Sequence, residues 1–272
     1  MTQPSTAAAS PVAIAPERAR SLFRWNASLS VLHLVQAVAM LALSLSVATV
    51  VTTPIVSSYL TFDQANRTLV PAQRLLFDLP IGPAVALFLF LSAIAHVTFA
   101  FPLRARYEAW LARGMNPGRW MEYALSSSVM IVVIATLVGI RDIGTLIAIF
   151  GVNAAMNLFG WSMELANEGR TKPQWSHYVF GCVAGIVPWL VIFVALWTSA
   201  TEPGAAAIPG FVIAIFISLF VSFNVFAITM VLQYRKIGRW RDYLAGEKTY
   251  MLMSLFAKSI LAWQVWSGTL RP

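Results

Sequence analysis

Charged residues are scarce in this chain, and acidic residues are scarcer than basic ones. Only 11% of the 272 residues are Asp, Glu, Lys or Arg, whereas 58% are hydrophobic. This excludes an ordinary soluble domain, in which about a quarter of the residues are charged. The mean hydropathy of +0.72 is instead typical of a protein that crosses a membrane several times. The apolar runs are also too long for the alternating strands of a membrane barrel.

Cysteine is nearly absent as well, since Cys182 is the only one. A single cysteine excludes a disulfide within the chain, and no Cys/His spacing resembles a zinc site, so we expect no metal ion. The formal net charge of +8 can indicate nucleic-acid binding. Here the basic residues lie in short loops beside apolar runs, so we attribute the excess to membrane topology and expect no nucleic-acid partner.

Long apolar runs predict an all-α bundle of seven transmembrane helices within one domain, residues 21–272. Residues 1–20 are rich in Ala, Pro, Ser and Thr, which predicts a mobile tail without a cleaved signal peptide. The predicted spans are Ala27–Val51, Leu79–Leu103, Arg119–Ile140, Ile143–Met163, Trp175–Thr198, Ile208–Tyr234 and Thr249–Leu270. The connection from Thr52 to Asp78 is long enough to need structure of its own, such as a short β-hairpin.

Lysine and arginine are unevenly divided between the two sets of loops. The set on the N-terminal side holds Arg18, Arg20, Arg24, Arg104, Arg106, Arg113, Arg119, Arg170, Lys172, Arg235, Lys236, Arg239, Arg241 and Lys248. The opposite set holds only Arg67, Arg74, Arg141 and Arg271. By the positive-inside rule, the N-terminus is cytoplasmic. Because the number of spans is odd, the C-terminus is then extracellular, and we expect a multi-pass protein of the plasma membrane.

One charge, Lys258, lies inside the last apolar run. A lysine near the middle of a membrane helix costs about 2.5–3.5 kcal/mol, and this one is too far from either end of the run to reach an interface. It therefore needs a partner or a chemical role. A structural ion pair and a covalent or transport role both remain open, because a desolvated amine is also a good nucleophile.

The other ionisable groups inside the apolar runs are expected at a similar depth, in the cytoplasmic half. Glu122 lies near the start of the third span and is the only acid available to Lys258, whose side chain leans toward the N-terminal end of its helix. His33 and His96 are either a proton-accepting pair or two structural, hydrogen-bonded histidines. Glu164 and Glu168, at the end of the fourth span, are expected to be solvated, and His177 to be incidental.

Residues around this pair predict a pocket for a ligand with one charged end and a long apolar body. Glu122, Ser126 and Met130 are spaced to lie on one helix face, which grades from charged to apolar. Ser254 lies one turn before Lys258. Candidate walls are the aromatic residues Trp189, Phe220, Phe223 and Phe226, for which lipid contact or core packing is the open alternative.

Several stretches resemble the heliorhodopsins, a family of retinal-binding membrane proteins. They are LHLVQA around His33, SAIAH at His96, ARGMNPGRWMEY at Glu122, FGCVAGIVPW in the fifth span, and EKTYMLMSLFAKSILAWQVWSGTL around Lys258. The resemblance covers nearly the whole chain after the tail. The cytoplasmic N-terminus agrees with it, because this family is inverted relative to other microbial rhodopsins.

The resemblance implies a role for each matching residue. Lys258 would carry all-trans retinal as a Schiff base, with Glu122 as its counterion and Ser254 one turn away. His33 and His96 would line a polar cavity, and Asn153 would lie near the chromophore. The family is also described as dimeric, with a hairpin in the first extracellular loop, here within residues 53–78. His177 has no assigned counterpart.

Three functions follow from these features. The first is a photoreceptor whose slow photocycle is read by an unknown cytoplasmic signalling partner. The second is a light-driven or light-gated ion transporter. A proton pump usually has a donor acid eleven residues after the counterion and an acid one turn before the lysine, and here these positions hold Val133 and Ser254. The third is a membrane enzyme, which no nucleophile or metal spacing supports, so we expect no enzyme.

Overall fold

The computed structural model describes residues 14–46, 50–204 and 207–270, so residues 1–13 of the predicted tail lie outside the described part. Most of the described chain is helical, and a single two-stranded sheet is present there. The helices are α1 Pro16–Leu45, α2 Ile81–Ala100, α3 Arg104–Ala112, α4 Pro117–Leu137, α5 Ile143–Ala166, α6 Ser176–Thr201, α7 Gly210–Tyr234 and α8 Tyr243–Val265. A short 3₁₀ turn, Gly238–Arg241, precedes α8, and a π-helical turn, Trp266–Leu270, follows it.

Six of these helices are long and apolar enough to cross a membrane: α1, α2, α4, α5, α6 and α7. The helix α8 has 23 residues, but Glu247, Lys248 and Lys258 lower its hydropathy. The membrane character of the bundle is therefore confirmed, while the count of seven spans and the orientation of the two ends stay predictions.

Neighbouring helices pack in sequence order around the bundle. Contacts join α1 to α2, α2 to α4, α4 to α5, and α5 to α6, and α7 packs against α8. The helix α8 packs also against α1 and α2, and α4 contacts both α6 and α7. This order places α8 and α5 on opposite sides of the bundle, and the space between them contains the candidate site.

The helices extend beyond the apolar runs at the N-terminal side of the bundle. The helix α1 begins at Pro16, eleven residues before the predicted Ala27, because its charged first turns remain helical outside the apolar run. Leu22 on this extension packs with Tyr107 and Leu111 of α3 and with Leu244 at the start of α8. The helix α3 was not predicted. It lies in the basic loop before α4 and helps to cover this end of the bundle.

The predicted hairpin is present, with strands longer than expected. Strands β1, Thr52–Asp63, and β2, Thr68–Pro80, pair antiparallel over their whole length, with a bulge at Ile55/Val56. Asp142, the N-cap of α5, accepts hydrogen bonds from the amides of Thr145 and Ser58, both at 3.0 Å. These bonds lower the pKa of Asp142 to about 2, so its carboxylate stays charged and fastens the hairpin to α5. The extracellular location of the hairpin stays a prediction.

A buried lysine–glutamate pair beside an aromatic cavity

The two charges predicted to meet inside the membrane lie in contact. Lys258 is 2% exposed, and its Nζ donates to Glu122 Oε1 at 2.8 Å and to Ser254 Oγ at 2.7 Å. The same Glu122 oxygen accepts a hydrogen bond from Ser92 Oγ at 2.6 Å. Helix geometry explains the Ser254 contact, because residues four apart lie on one face. Lys258 therefore has the partner that its burial requires.

This arrangement has a chemical consequence as well as a structural one. A buried amine is nucleophilic once it gives up a proton, and Glu122 is placed to accept that proton. The same carboxylate can later balance a positive charge on any group that the amine binds. An ion pair alone and an ion pair that prepares the amine for covalent chemistry have the same geometry, so the surroundings decide between them.

Those surroundings are a cavity of about 310 Å³, a size typical of small-molecule sites. Lys258 and Ser254 lie in its α8 wall, and Met130 lies in its α4 wall. In the walls formed by α6 and α7, the ring of Trp189 is edge-on to those of Phe220 and Phe223, each with a centroid distance of 5.4 Å. The predicted aromatic residues thus line a cavity that ends at the lysine.

Three predicted pocket residues do not line this cavity. Glu122, the partner of Lys258, lines a smaller cavity instead. Ser126 is fully buried on α4, outside the cavity wall. Asn153 lies behind the wall, where its Nδ2 donates to Ser127 Oγ at 2.8 Å and to Ser128 Oγ at 3.0 Å. Ser127 and Asn157, which the sequence interpretation did not select, line the cavity instead.

His33 and His96 form a pair on the other side of Glu122. Their rings stack with centroids 5.6 Å apart, and His96 Nδ1 lies 2.8 Å from Asn26 Oδ1. Asn26 Nδ2 donates to Leu22 O, so Oδ1 is the accepting atom and His96 carries its proton on Nδ1. The Nε2 atom of His96 is therefore the nitrogen able to accept a proton.

His96 also lines a second, smaller cavity of about 20 Å³, enough for about one water molecule. Glu122, Asn26, Arg119 and Glu247 share this cavity with it. The histidines are thus near Glu122, but neither is hydrogen-bonded to it in the described part of the chain.

A second buried ionic cluster was not predicted. Arg119 is 4% exposed and donates to Glu164 Oε1 at 2.6 Å and to Glu247 Oε2. Asn116 supports both acids, since its backbone N–H donates to Glu164 and its Nδ2 to Glu247, each at 2.7 Å. The prediction that Glu164 is solvated is therefore wrong. The cause is tertiary packing at this end of the bundle, where Arg119, Asn116 and Tyr243 enclose the Glu164 carboxylate by hydrogen bonds.

Of the two remaining polar residues, Glu168 lies where it was predicted, and His177 has surroundings that were not expected. Glu168 is partly exposed and pairs with Arg113 at 2.7 Å, in agreement with the prediction of a surface position. His177, expected to be incidental, lines the large cavity, and its Nδ1 lies 2.9 Å from Ser162 Oγ. Phe226 also lines this cavity. Among the described residues, no group of three or more His, Cys, Asp or Glu side chains is placed to hold a metal ion.

A family model described as Heliorhodopsin matches residues 22–270, which include all eight helices except the first turns of α1. A search of curated proteins finds no match.

Proposed function

The chain belongs to the heliorhodopsin family of retinal-binding rhodopsins, and from this premise we propose that it is a light sensor with retinal bound at Lys258. The observation that carries the proposal is the opening of the Lys258 side chain onto an aromatic cavity while its amine stays paired with Glu122. Retinal, an aldehyde with a long conjugated chain, would supply the light absorption and the change of shape on illumination.

The residues present fit such a group. An amine that condenses with an aldehyde forms a C=N bond and releases water, and this Schiff base can carry a positive charge. Glu122 is the carboxylate in contact with the amine, so we assign it as the counterion, with Ser92 and Ser254 holding the two charges in place. Trp189, Phe220, Phe223 and Met130 would confine the apolar body, and we take the chromophore to be all-trans retinal.

Proton movement would involve the side of the pair that faces α1 and α2. His96 can accept a proton at Nε2, and the small cavity between His96 and Glu122 has room for a bridging water. We propose that the His33–His96 pair is part of the site that takes up the proton released by the Schiff base. Because the two histidines are buried, they are separated from bulk solvent, and the proton can return by the same route.

The distribution of buried ionisable groups favours a sensor over a pump. In the described residues, Arg119, Glu122, Glu164 and Glu247 all lie toward the side of the bundle where α4 and α8 begin. Toward the other end of these helices, the buried polar side chains are neutral, such as Ser44 and Thr136. A pump needs proton-exchanging groups on both sides of the Schiff base, whereas a proton that leaves and returns on one side transports no net charge.

Location and assembly are part of the same proposal. The basic loops support a plasma-membrane protein with a cytoplasmic N-terminus. We further propose a homodimer in the lipid bilayer, as the resemblance implies, and an unknown cytoplasmic partner, because a light sensor needs one to read its conformational change.

The sensor proposal predicts a coloured protein that does not acidify or alkalise its medium. Cells that express the chain with added all-trans retinal should acquire a visible absorption band. In weakly buffered medium, their illumination should produce no sustained pH change sensitive to a protonophore. A light-driven pH shift abolished by the protonophore would favour the transporter, and the absence of any visible band would contradict retinal binding itself.

Removal of the Glu122 charge should make the pigment lose its visible colour at lower pH. In Glu122→Gln, no carboxylate would contact the Schiff base, because Ser254 occupies the position of a second acid, and a buried cation depends on an opposite charge close to it. A spectrophotometric pH titration of wild type, Glu122→Gln and Glu122→Asp measures this. The midpoint of Glu122→Asp should lie nearer to that of wild type.

The titration must be repeated with and without chloride, because a small anion can replace the missing carboxylate. If Glu122→Gln titrates like wild type in chloride-free buffer, Glu122 is not the counterion.

A further inference from the structure

The wall of the large cavity is apolar and aromatic except for a few positions, and one of the polar positions lies on α5. Asn157 of α5 lines the cavity and is 6% exposed. Ser127 of α4 lines the cavity beside it. Neither residue contacts the Lys258–Glu122 pair, so their polarity is not explained by that ion pair.

The orientation of the Asn157 amide is determined by its hydrogen bonds. Nδ2 donates to the backbone oxygen of Asn153 at 2.8 Å and to Ser127 Oγ at 3.1 Å. A carbonyl oxygen can only accept, so the amide nitrogen must be the atom that faces Asn153. Oδ1 is left without a hydrogen bond in the described part of the chain, although most buried polar atoms have a partner.

Ser127 and Asn153 hold this amide in place. Ser127 Oγ donates to Tyr123 O at 2.7 Å and accepts from both Asn153 and Asn157. Asn153 is fixed in turn by Ser128. Asn157 therefore presents an oriented dipole whose negative end lacks a protein partner.

The packing of the helices shows which part of a ligand meets this dipole. The helix α8 packs against α7, α1 and α2, whereas α5 packs against α4 and α6. Lys258 and Asn157 consequently lie in walls on opposite sides of the same cavity. A ligand attached to Lys258 that extends across the cavity brings its remote part, not its amine end, toward α5.

Resting on the proposed function, we propose that Asn157 presents its amide oxygen to the remote part of the chromophore and shifts its absorption to longer wavelength. The physical reason is charge movement. In a conjugated cation, light moves positive charge away from the nitrogen and along the chain, so a partial negative charge at the far end stabilises the excited state more than the ground state. Asn153 and Ser127 act as positioning residues, since they orient the amide without contact between Asn153 and the cavity.

The test is the absorption maximum of Asn157→Leu, in which an apolar side chain of similar size replaces the amide. We expect a shift to shorter wavelength by several nanometres or more. Ser127→Ala, which removes one anchor of the amide, should shift the maximum in the same direction by less. Thr136→Ala is the control, because Thr136 is buried on the same helix, donates to Val133 O and does not line the cavity, so its loss should leave the maximum unchanged. An Asn157→Leu maximum equal to that of wild type, or at longer wavelength, would overturn the proposal.

A second measurement does not require a coloured protein. All-trans retinol cannot form a Schiff base, and its binding to the protein without retinal can be followed by quenching of tryptophan fluorescence, to which Trp189 in the cavity wall contributes. Asn157→Leu should bind retinol several-fold more tightly, since the apolar ligand no longer covers an unpaired amide oxygen. Unchanged retinol affinity would show that Asn157 does not face the ligand.

The two measurements distinguish a failure of the proposed role of Asn157 from a failure of the proposed function. A wild-type protein that forms no pigment contradicts the proposed function, and the retinol assay still decides whether Asn157 faces the cavity ligand. If Asn157→Leu does not fold, Asn157→Ala removes the same oxygen without adding a branched side chain and is expected to shift the absorption in the same direction.

Discussion

Lys258→Ala should give a colourless protein in the presence of all-trans retinal, with its helical content retained. Lys258 is the only lysine that is buried in the described part of the chain, and its Nζ is the only amine in the wall of the large cavity there. Without it, no covalent bond to retinal can form in this cavity, so the visible band should be lost completely. The measurements are the absorption spectrum and the far-ultraviolet circular dichroism of the purified variant.

The control is Lys248→Ala on the same helix. Lys248 Nζ donates to Ser21 Oγ at 2.8 Å at the N-terminal end of α8, away from the cavity, so this variant should keep its colour. Because Lys258→Ala leaves Glu122 buried without a cation, the double variant with Glu122→Gln provides a better-folding form of the same test. A visible band that survives unchanged in either Lys258 variant would contradict the assignment.

The lysine–glutamate pair could be predicted from the sequence because each charge interrupts an apolar run. The energetic cost of a charge in such a run is large enough to require a partner, and Glu122 was the acid at a matching depth. The hairpin could be predicted for a similar reason, since the connection between the first two spans was too long to lack structure. Both inferences rest on strong, local constraints.

The burial of the cluster of Arg119, Glu164 and Glu247 could not be predicted from the sequence. All three residues lie near helix ends, where charged side chains usually meet water or lipid headgroups. Their burial depends on tertiary contacts that have no hydropathy signal, such as the hydrogen bond from Tyr107 of α3 to Glu247. One weak indication of the position of Arg119 was present in the sequence. Asn116-Pro117 marks the start of α4 and places Arg119 in its first turn.

The sequence could not show which of Asn153 and Asn157 lines the cavity, for another reason. These residues are four apart on α5 and lie on the same face, so periodicity cannot rank them. Only the folded structure distinguishes them, because Asn157 lines the cavity and Asn153 does not. The aromatic residues were easier, because Trp189, Phe220 and Phe223 are large enough to reach a shared cavity from two helices.

Arg119→Met should be the most destabilising of the substitutions that leave the lysine pair intact. It removes the cation that, among the described residues, pairs with both Glu164 and Glu247, which are 4% and 1% exposed, and leaves two carboxylates buried close together. Loss of one partner from a buried ion pair typically costs about 3–5 kcal/mol, because the remaining charge stays desolvated. By the usual relation between free energy and melting temperature, this corresponds to a decrease of roughly 6–20 °C.

Thermal unfolding of the purified protein in detergent, followed by circular dichroism, measures this decrease. Arg113→Met is the matched control, since Arg113 also pairs with a glutamate, Glu168 just after the end of α5, but at the surface, where solvent screens the charges. Its melting temperature should stay close to that of wild type. Adding Glu164→Gln and Glu247→Gln to Arg119→Met should recover much of the loss, because the uncompensated charges are then gone. Equal melting temperatures for Arg119→Met and Arg113→Met would contradict this account, since they would mean that the buried acids do not need the arginine.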